Sequence, residues 1–266
     1  MNTIRTLPVI TALCSAFAFA SMASAAVIAE YNFNDTGGDP YADVANASGL
    51  DAGNITPGAQ MDAGDSIPTT YSSEGAGSYA IAGANVNAGS NSTSTAWDNA
   101  QTDGLYFEFT LTPDGGQTLN LTNLQLDVAY RGTDAFRLAV TSSLTGFDYG
   151  DQLTITTENV NDAASIPNIL QSNLDGIDLA PLGLNGDWGA GAGTIIDLSS
   201  ATFDNISSAV TFRIYGFQAQ TSSDSNDALF FDNIQVNGAV IPEPASAALI
   251  LSGCAGMLLM RRRRRA

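Results

Sequence analysis

The chain of 266 residues contains no histidine and no lysine, and its two cysteines stand near its ends, at Cys14 and Cys254. For everything between, these absences exclude a Ser-His-Asp triad, a thiolate nucleophile, a lysine Schiff base and a histidine-ligated zinc. No disulfide can brace residues 26–242, because that segment has no cysteine. Positive charge is equally scarce: within it Arg131, Arg137 and Arg213 stand against 26 carboxylates, a formal charge of −23. A surface of that sign repels nucleic acid and anionic lipid, which are held through Lys and Arg, and attracts divalent cations. Long amphipathic helical patterns are missing too; the best helical candidate is the brief stretch 163–174, interrupted by Pro167.

What is present is a period of two. Ala29, Tyr31 and Phe33 fall on one face of a strand, as do Leu105, Phe107, Phe109 and Leu111. Leu119 and Leu121, then Leu124, Leu126, Val128 and Tyr130, continue the alternation after a Pro113-Asp114-Gly115-Gly116 turn. Phe136, Leu138 and Val140 follow, then Leu153 and Ile155, residues 195–198, then Val210, Phe212 and Ile214, and finally residues 230–236. Apolar alternation between Gly-, Asn- and Asp-rich turns predicts an all-β protein, an antiparallel β-sandwich of Greek-key or jelly-roll type. Residues 26–240 suffice for a single such domain. The stretch 35–103 has few large apolar residues and reads as long loops with short edge strands.

Chemistry that survives the absences is carboxylate chemistry. A glycosidase needs two carboxyl groups across a cleft, and the segment's glutamates are four: Glu30, Glu74, Glu108 and Glu158. None forms a paired motif, and Glu108 alternates outward between Phe107 and Phe109 as a solvated strand residue. No Gly-rich phosphate loop precedes a helix. The closest approach to an EF-hand, Asn173-Leu174-Asp175-Gly176-Ile177-Asp178, lacks the terminal glutamate. Hard oxygen ligands remain plentiful, so a structural Ca2+ is the expected cofactor. For sugars, the aromatic platforms on offer are Trp97 and Trp188, each in a polar, loop-like setting. Arg131, Arg137 and Arg213 occupy outward strand positions, with the surplus aspartates as expected partners.

The two ends carry addresses. Arg5, the apolar stretch 7–20 and Ala23-Ser24-Ala25 read as a secretory signal peptide over residues 1–25. Leu13 immediately before Cys14 argues against a lipoprotein signal. At the other end Pro242-Glu243-Pro244 precedes 16 nearly uncharged residues, 245–260, then Arg261, Arg262, Arg263, Arg264 and Arg265. As a transmembrane helix that run is short for a hydrocarbon core of about 30 Å, and snorkelling arginines extend it. The arginines fix its cytoplasmic end.

Triplet, apolar helix and basic terminus, in this order over residues 241–266, resemble the PEP-CTERM sorting tail of bacterial exosortase substrates. That resemblance implies transient anchoring in the inner membrane, recognition by an exosortase, cleavage near the triplet, and release to the cell surface or extracellular matrix. Tyr106–Pro113, 119–124, 212–216 and 229–238 also resemble, in order and spacing, a jelly-roll domain common among PEP-CTERM proteins. That domain brings no activity with it. Ala29-Glu30-Tyr31 and Phe231-Asp232-Asn233 resemble the paired terminal strands of jelly-roll carbohydrate-binding modules. In that likeness Glu30 and Asp232 meet at one sheet edge, where a metal ion would relieve their repulsion. The leading expectation is an exported protein that is not an enzyme. The alternative is a secreted carbohydrate-binding module for the cell's own exopolysaccharide, and a third reading is a carboxylate-dependent polysaccharide hydrolase or lyase.

Overall fold

The computed structural model describes residues 25–31, 45–59, 81–84, 93–131, 136–156, 170–171, 194–218 and 228–242. The expected signal helix and the apolar run 245–260 lie outside them. No helix among the described residues is long and apolar enough to cross a membrane.

Twelve strands and one α-helix make up the described fold. In chain order they are β1 (Ala26–Tyr31), β2 (Ala45–Asn46), β3 (Leu50–Ala52), β4 (Thr56–Pro57), β5 (Ile81–Ala84), α1 (Thr93–Asp103), β6 (Tyr106–Pro113), β7 (Gln117–Arg131), β8 (Phe136–Ser142), β9 (Leu170–Gln171), β10 (Thr194–Asp197), β11 (Val210–Gln218) and β12 (Ala228–Pro242). Every pairing is antiparallel. One sheet has the order β10-β7-β12-β1-β2, with β5 also on β12; the other has β3-β6-β11-β8-β9, with β4 also on β6. Aromatic contacts join the two across one core: Tyr31 lies 5.2 Å from Phe109, and Phe107 meets Phe231 edge-on at 5.5 Å, ring centre to ring centre. The buried Tyr31 hydroxyl donates to the Gly53 carbonyl at 2.9 Å, another link from the first sheet to the second.

The alternating residues expected to point inward do so in β6 and β11, where Phe107, Phe109, Leu111, Val210, Phe212 and Ile214 are buried in this core. The long strands interrupt the period of two and repair it with β-bulges, which add one residue to one strand of a pair. In β7 the step from Leu121 to Leu124 is odd, yet both are buried, because Thr122 is the extra residue beside Asn237 and Gly238. Phe231 and Ile234 in β12 are reconciled in the same way by a bulge in which Asn233 takes a φ of 47°. A third bulge in β1 lets Ile28 and Ala29 both face the core. At Gly238 a Cβ would stand 2.4 Å from the Asn120 carbonyl oxygen, so the chain approach there requires glycine.

Three expectations are corrected. Part of the stretch read as loops is the helix α1, whose inward residues Ala96, Trp97 and Ala100 have helical spacing. It stops at Gly104, with a φ of 71°: Leu105 N–H donates to the Ala100 carbonyl and Gly104 N–H to that of Gln101, a Schellman ending. Within the stretch offered as helical, Leu170–Gln171 is instead a strand on β8. Leu153 and Ile155 form no regular strand but cross between the sheets, Leu153 N–H donating to Val140 of β8 and Ile155 bridging to Ile196 of β10.

Candidate functional site

The outer face of the second sheet, away from the sandwich core, gathers the side chains with chemistry. Register sets Thr211, Arg213 and Tyr215 of β11 opposite Thr110, Glu108 and Tyr106 of β6. On the other flank β8 sets Thr141 opposite Arg213, Ala139 opposite Tyr215 and Arg137 opposite Phe217. The Thr110 and Thr211 hydroxyls are hydrogen-bonded at 2.8 Å. Arg213 Nε donates to Glu108 Oε2 at 2.6 Å, with the two side chains 23% and 30% exposed. Its guanidinium carbon stands 4.5 Å from the ring centre of Tyr106 and 4.1 Å from that of Phe147. Burial opposes the charge on Arg213, but the Glu108 bond and the neighbouring phenols outweigh it and hold the guanidinium above its ordinary range.

Helix α1 covers part of this face. Trp97 is fully buried, 4.4 Å from Tyr215 and 6.1 Å from Phe217 between ring centres, and forms with Ala96, Ala100, Leu105 and Ala139 a second, smaller core. On this face Trp97 Nε1, the Thr141 hydroxyl, and Nε and Nη1 of Arg137 are buried without a hydrogen-bond partner. Burial pushes the Tyr215 phenol above its usual range, the hydrogen bond and charge of Arg213 acting the other way. Arg137 is 8% exposed, and burial lowers its guanidinium while the neighbouring Tyr149 phenol works to raise it. Tyr149 belongs to the loop 143–152, which also supplies Phe147.

The residues expected from sequence are distributed differently. Trp97 is no exposed platform: it lies on a helix, inside a core, so the sugar-stacking role is withdrawn for it. Trp188 lies outside the described residues. The strands carrying Glu30 and Asp232 do pair, but inside the first sheet and not at its edge, since β2 flanks β1 and β7 flanks β12. Glu30 stands opposite Gln235, whose Nε2 donates to Glu30 Oε1 at 2.8 Å, while the register partner of Asp232 in β7 is Asp127. Among the described residues no three Asp or Glu side chains gather as for a metal ion. Pro242 closes β12 and is exposed; Glu243, Pro244 and the arginines 261–265 lie outside the described residues.

Two arginines also depart from expectation. Arg213 takes a glutamate, Glu108, in place of an aspartate, which makes Glu108 an ion-pair partner and no longer a free surface carboxylate. Arg137 points outward from its strand as expected but is buried there. The outward positions were visible in the alternation; the burial of Arg137 was not. Comparison of the chain with protein-family models, with curated proteins and with solved structures returns no match.

Proposed function

We propose that the chain is an exported, non-catalytic surface or extracellular-matrix protein, carried out by residues 1–25 and sorted by an exosortase through a PEP-CTERM tail over 241–266. The observation that carries this reading is the junction at Pro242. Strand β12, held between β7 and β1, stays paired through Ile241 and Pro242 with Thr118 and Gln117. The Pro-Glu-Pro triplet therefore begins on the last residue of β12, which over residues 239–242 is paired with β7 alone among the described residues.

We read the sandwich as a jelly roll. With β1, β6, β7, β8, β9, β10, β11 and β12 taken as eight successive strands, one sheet runs first, eighth, third, sixth and the other second, seventh, fourth, fifth. That is the order of two nested Greek keys. A non-catalytic role is supported by the glutamates: Glu30 belongs to the first sheet and is bonded to Gln235, Glu108 belongs to the second and is paired with Arg213, so these two do not flank one cleft. Deleting the arginines 261–265 tests the sorting. Uncut precursor should accumulate in the inner membrane, and normal release of the truncated chain would refute the reading. A screen of the purified protein for reducing ends and unsaturated products across a polysaccharide panel tests the rest; turnover abolished by one Asp or Glu substitution would refute it.

A further inference from the structure

We propose that the open edge of β12 over residues 239–242 is where the tail-cutting protease docks, by adding an extended strand of its own beside β12. The inference rests on the sorting reading and adds to it a contact outside the triplet. The edge comes from strands of unequal reach. β1 begins at Ala26, opposite Gly238, whereas β12 runs on to Pro242, paired with Asn120, Leu119, Thr118 and Gln117 of β7. On the side where β1 lies further down, residues 239–242 pair with nothing among the described residues. Ala25 does not prolong β1, for it lies outside the strand and is exposed. Val240 packs against the core, so this stretch is held as a strand while one row of its backbone groups stays unmatched.

Several other edges of the sandwich are short or covered. β2 and β9 are two residues long, β3 is three, and the outer side of β10 exchanges hydrogen bonds with Thr154 and Thr156. Shortness, cover and charge are the usual protections against an added strand. Residues 238–242, Gly-Ala-Val-Ile-Pro, carry no charge, and neither do the exposed Ala25, Ala26 and Val27 beside them. An uncharged open edge is a template for an incoming strand, whose main-chain hydrogen bonds supply the affinity. Position selects the occupant. The edge ends on Pro242, the first residue of the triplet, and Glu243, Pro244 and the apolar run follow it directly. A protease acting near that triplet must lie alongside residues 239–242.

The test lengthens β1. Thr-Thr-Val-Thr inserted between Ala25 and Ala26 continues the register along 239–242, its valine opposite Val240, with β-branched residues that favour strands. Gly-Ser-Gly-Ser at the same point is the control. Hydrogen exchange on tail-bearing chains in detergent micelles should show the amides of residues 239–241 slowed by the first insertion only. In the native cells the first insertion should slow the cut about tenfold, the scale of losing two main-chain hydrogen bonds, and the control should be cut as the wild type is. Equal rates for all three chains, with 239–241 protected in the first, overturn the docking proposal and leave the sorting reading intact; a wild-type chain that is never cut overturns both. Failure of the first insertion to protect 239–241 also overturns the proposal, because an edge that accepts a strand must accept one joined to β1. So does equal slowing by both insertions. A wild-type dimer in micelles that the first insertion abolishes would give the edge to a second copy and overturn it as well.

Discussion

Arg213 and Glu108 face each other directly across β11 and β6, joined at 2.6 Å from Nε to Oε2, and the guanidinium also lies over the rings of Tyr106 and Phe147. Partial burial makes this pair worth more than an open surface bridge. Glu108→Ala should cost about 1–2 kcal/mol in urea unfolding, because it leaves a half-buried guanidinium without its acceptor. Glu108→Gln should cost less. A double-mutant cycle with Arg213→Met should return a coupling near 1 kcal/mol; a coupling of zero would mean that the rings alone hold Arg213.

Tyr215 gives an alkaline signature. Its phenol is raised above 10.0 in the folded state, first by burial, so the native protein keeps a proton that the unfolded chain releases. Stability is therefore undiminished below about pH 10 and falls as pH rises from there towards the folded value. Tyr215→Phe should flatten that fall. At neutral pH the substitution should cost no more than about 1 kcal/mol, since the buried hydroxyl interacts with the Arg213 guanidinium but makes no short hydrogen bond.

The bulge geometry is tested at Gly238. A Cβ there would stand 2.4 Å from the Asn120 carbonyl oxygen and 3.1 Å from Leu121 Cα, both backbone atoms that move only with the strand. Gly238→Ala should cost about 1–3 kcal/mol. Gly115→Ala is the control: nothing lies within 4 Å of its Cβ, and its unfolding midpoint should hardly change.

Calcium should stabilise the protein more than sodium does at matched ionic strength. The segment between the two ends carries −23, and the backbone register sets Asp127 and Asp232 opposite each other. An ion bound only by the native state at a hundredfold excess over Kd contributes about 2.7 kcal/mol. The rise in Tm should shrink in Asp232→Ala and Asp127→Ala and persist in Glu30→Ala, because Glu30 already has Gln235. Identical melting curves in the two salts would show that no specific site exists.

Much of the sandwich was legible because β6 and β11 alternate without interruption, and burial of one face is what alternation reports. The bulges hid the length of β7 and β12. Leu121-to-Leu124 and Phe231-to-Ile234 break the period, so each strand resembles two. Helix α1 escaped notice because its buried face consists of Ala96, Ala100 and one tryptophan, and alanines contribute little to an apolar pattern. The same polar neighbours made Trp97 look exposed. On the outer face the outward positions of Glu108, Arg137 and Arg213 were legible in the alternation, but their grouping with Thr141 and Tyr215 was not, because it is set by register, which depends on turns and packing that no local pattern records.

The most direct test of the sorting claim is the mass of the protein released from cells. Mass spectrometry of the surface and medium fractions should find a chain that begins at about Ala26 and ends near the Pro242-Glu243-Pro244 triplet. Recovery of the intact chain, still ending in its five arginines, from those fractions would contradict the account.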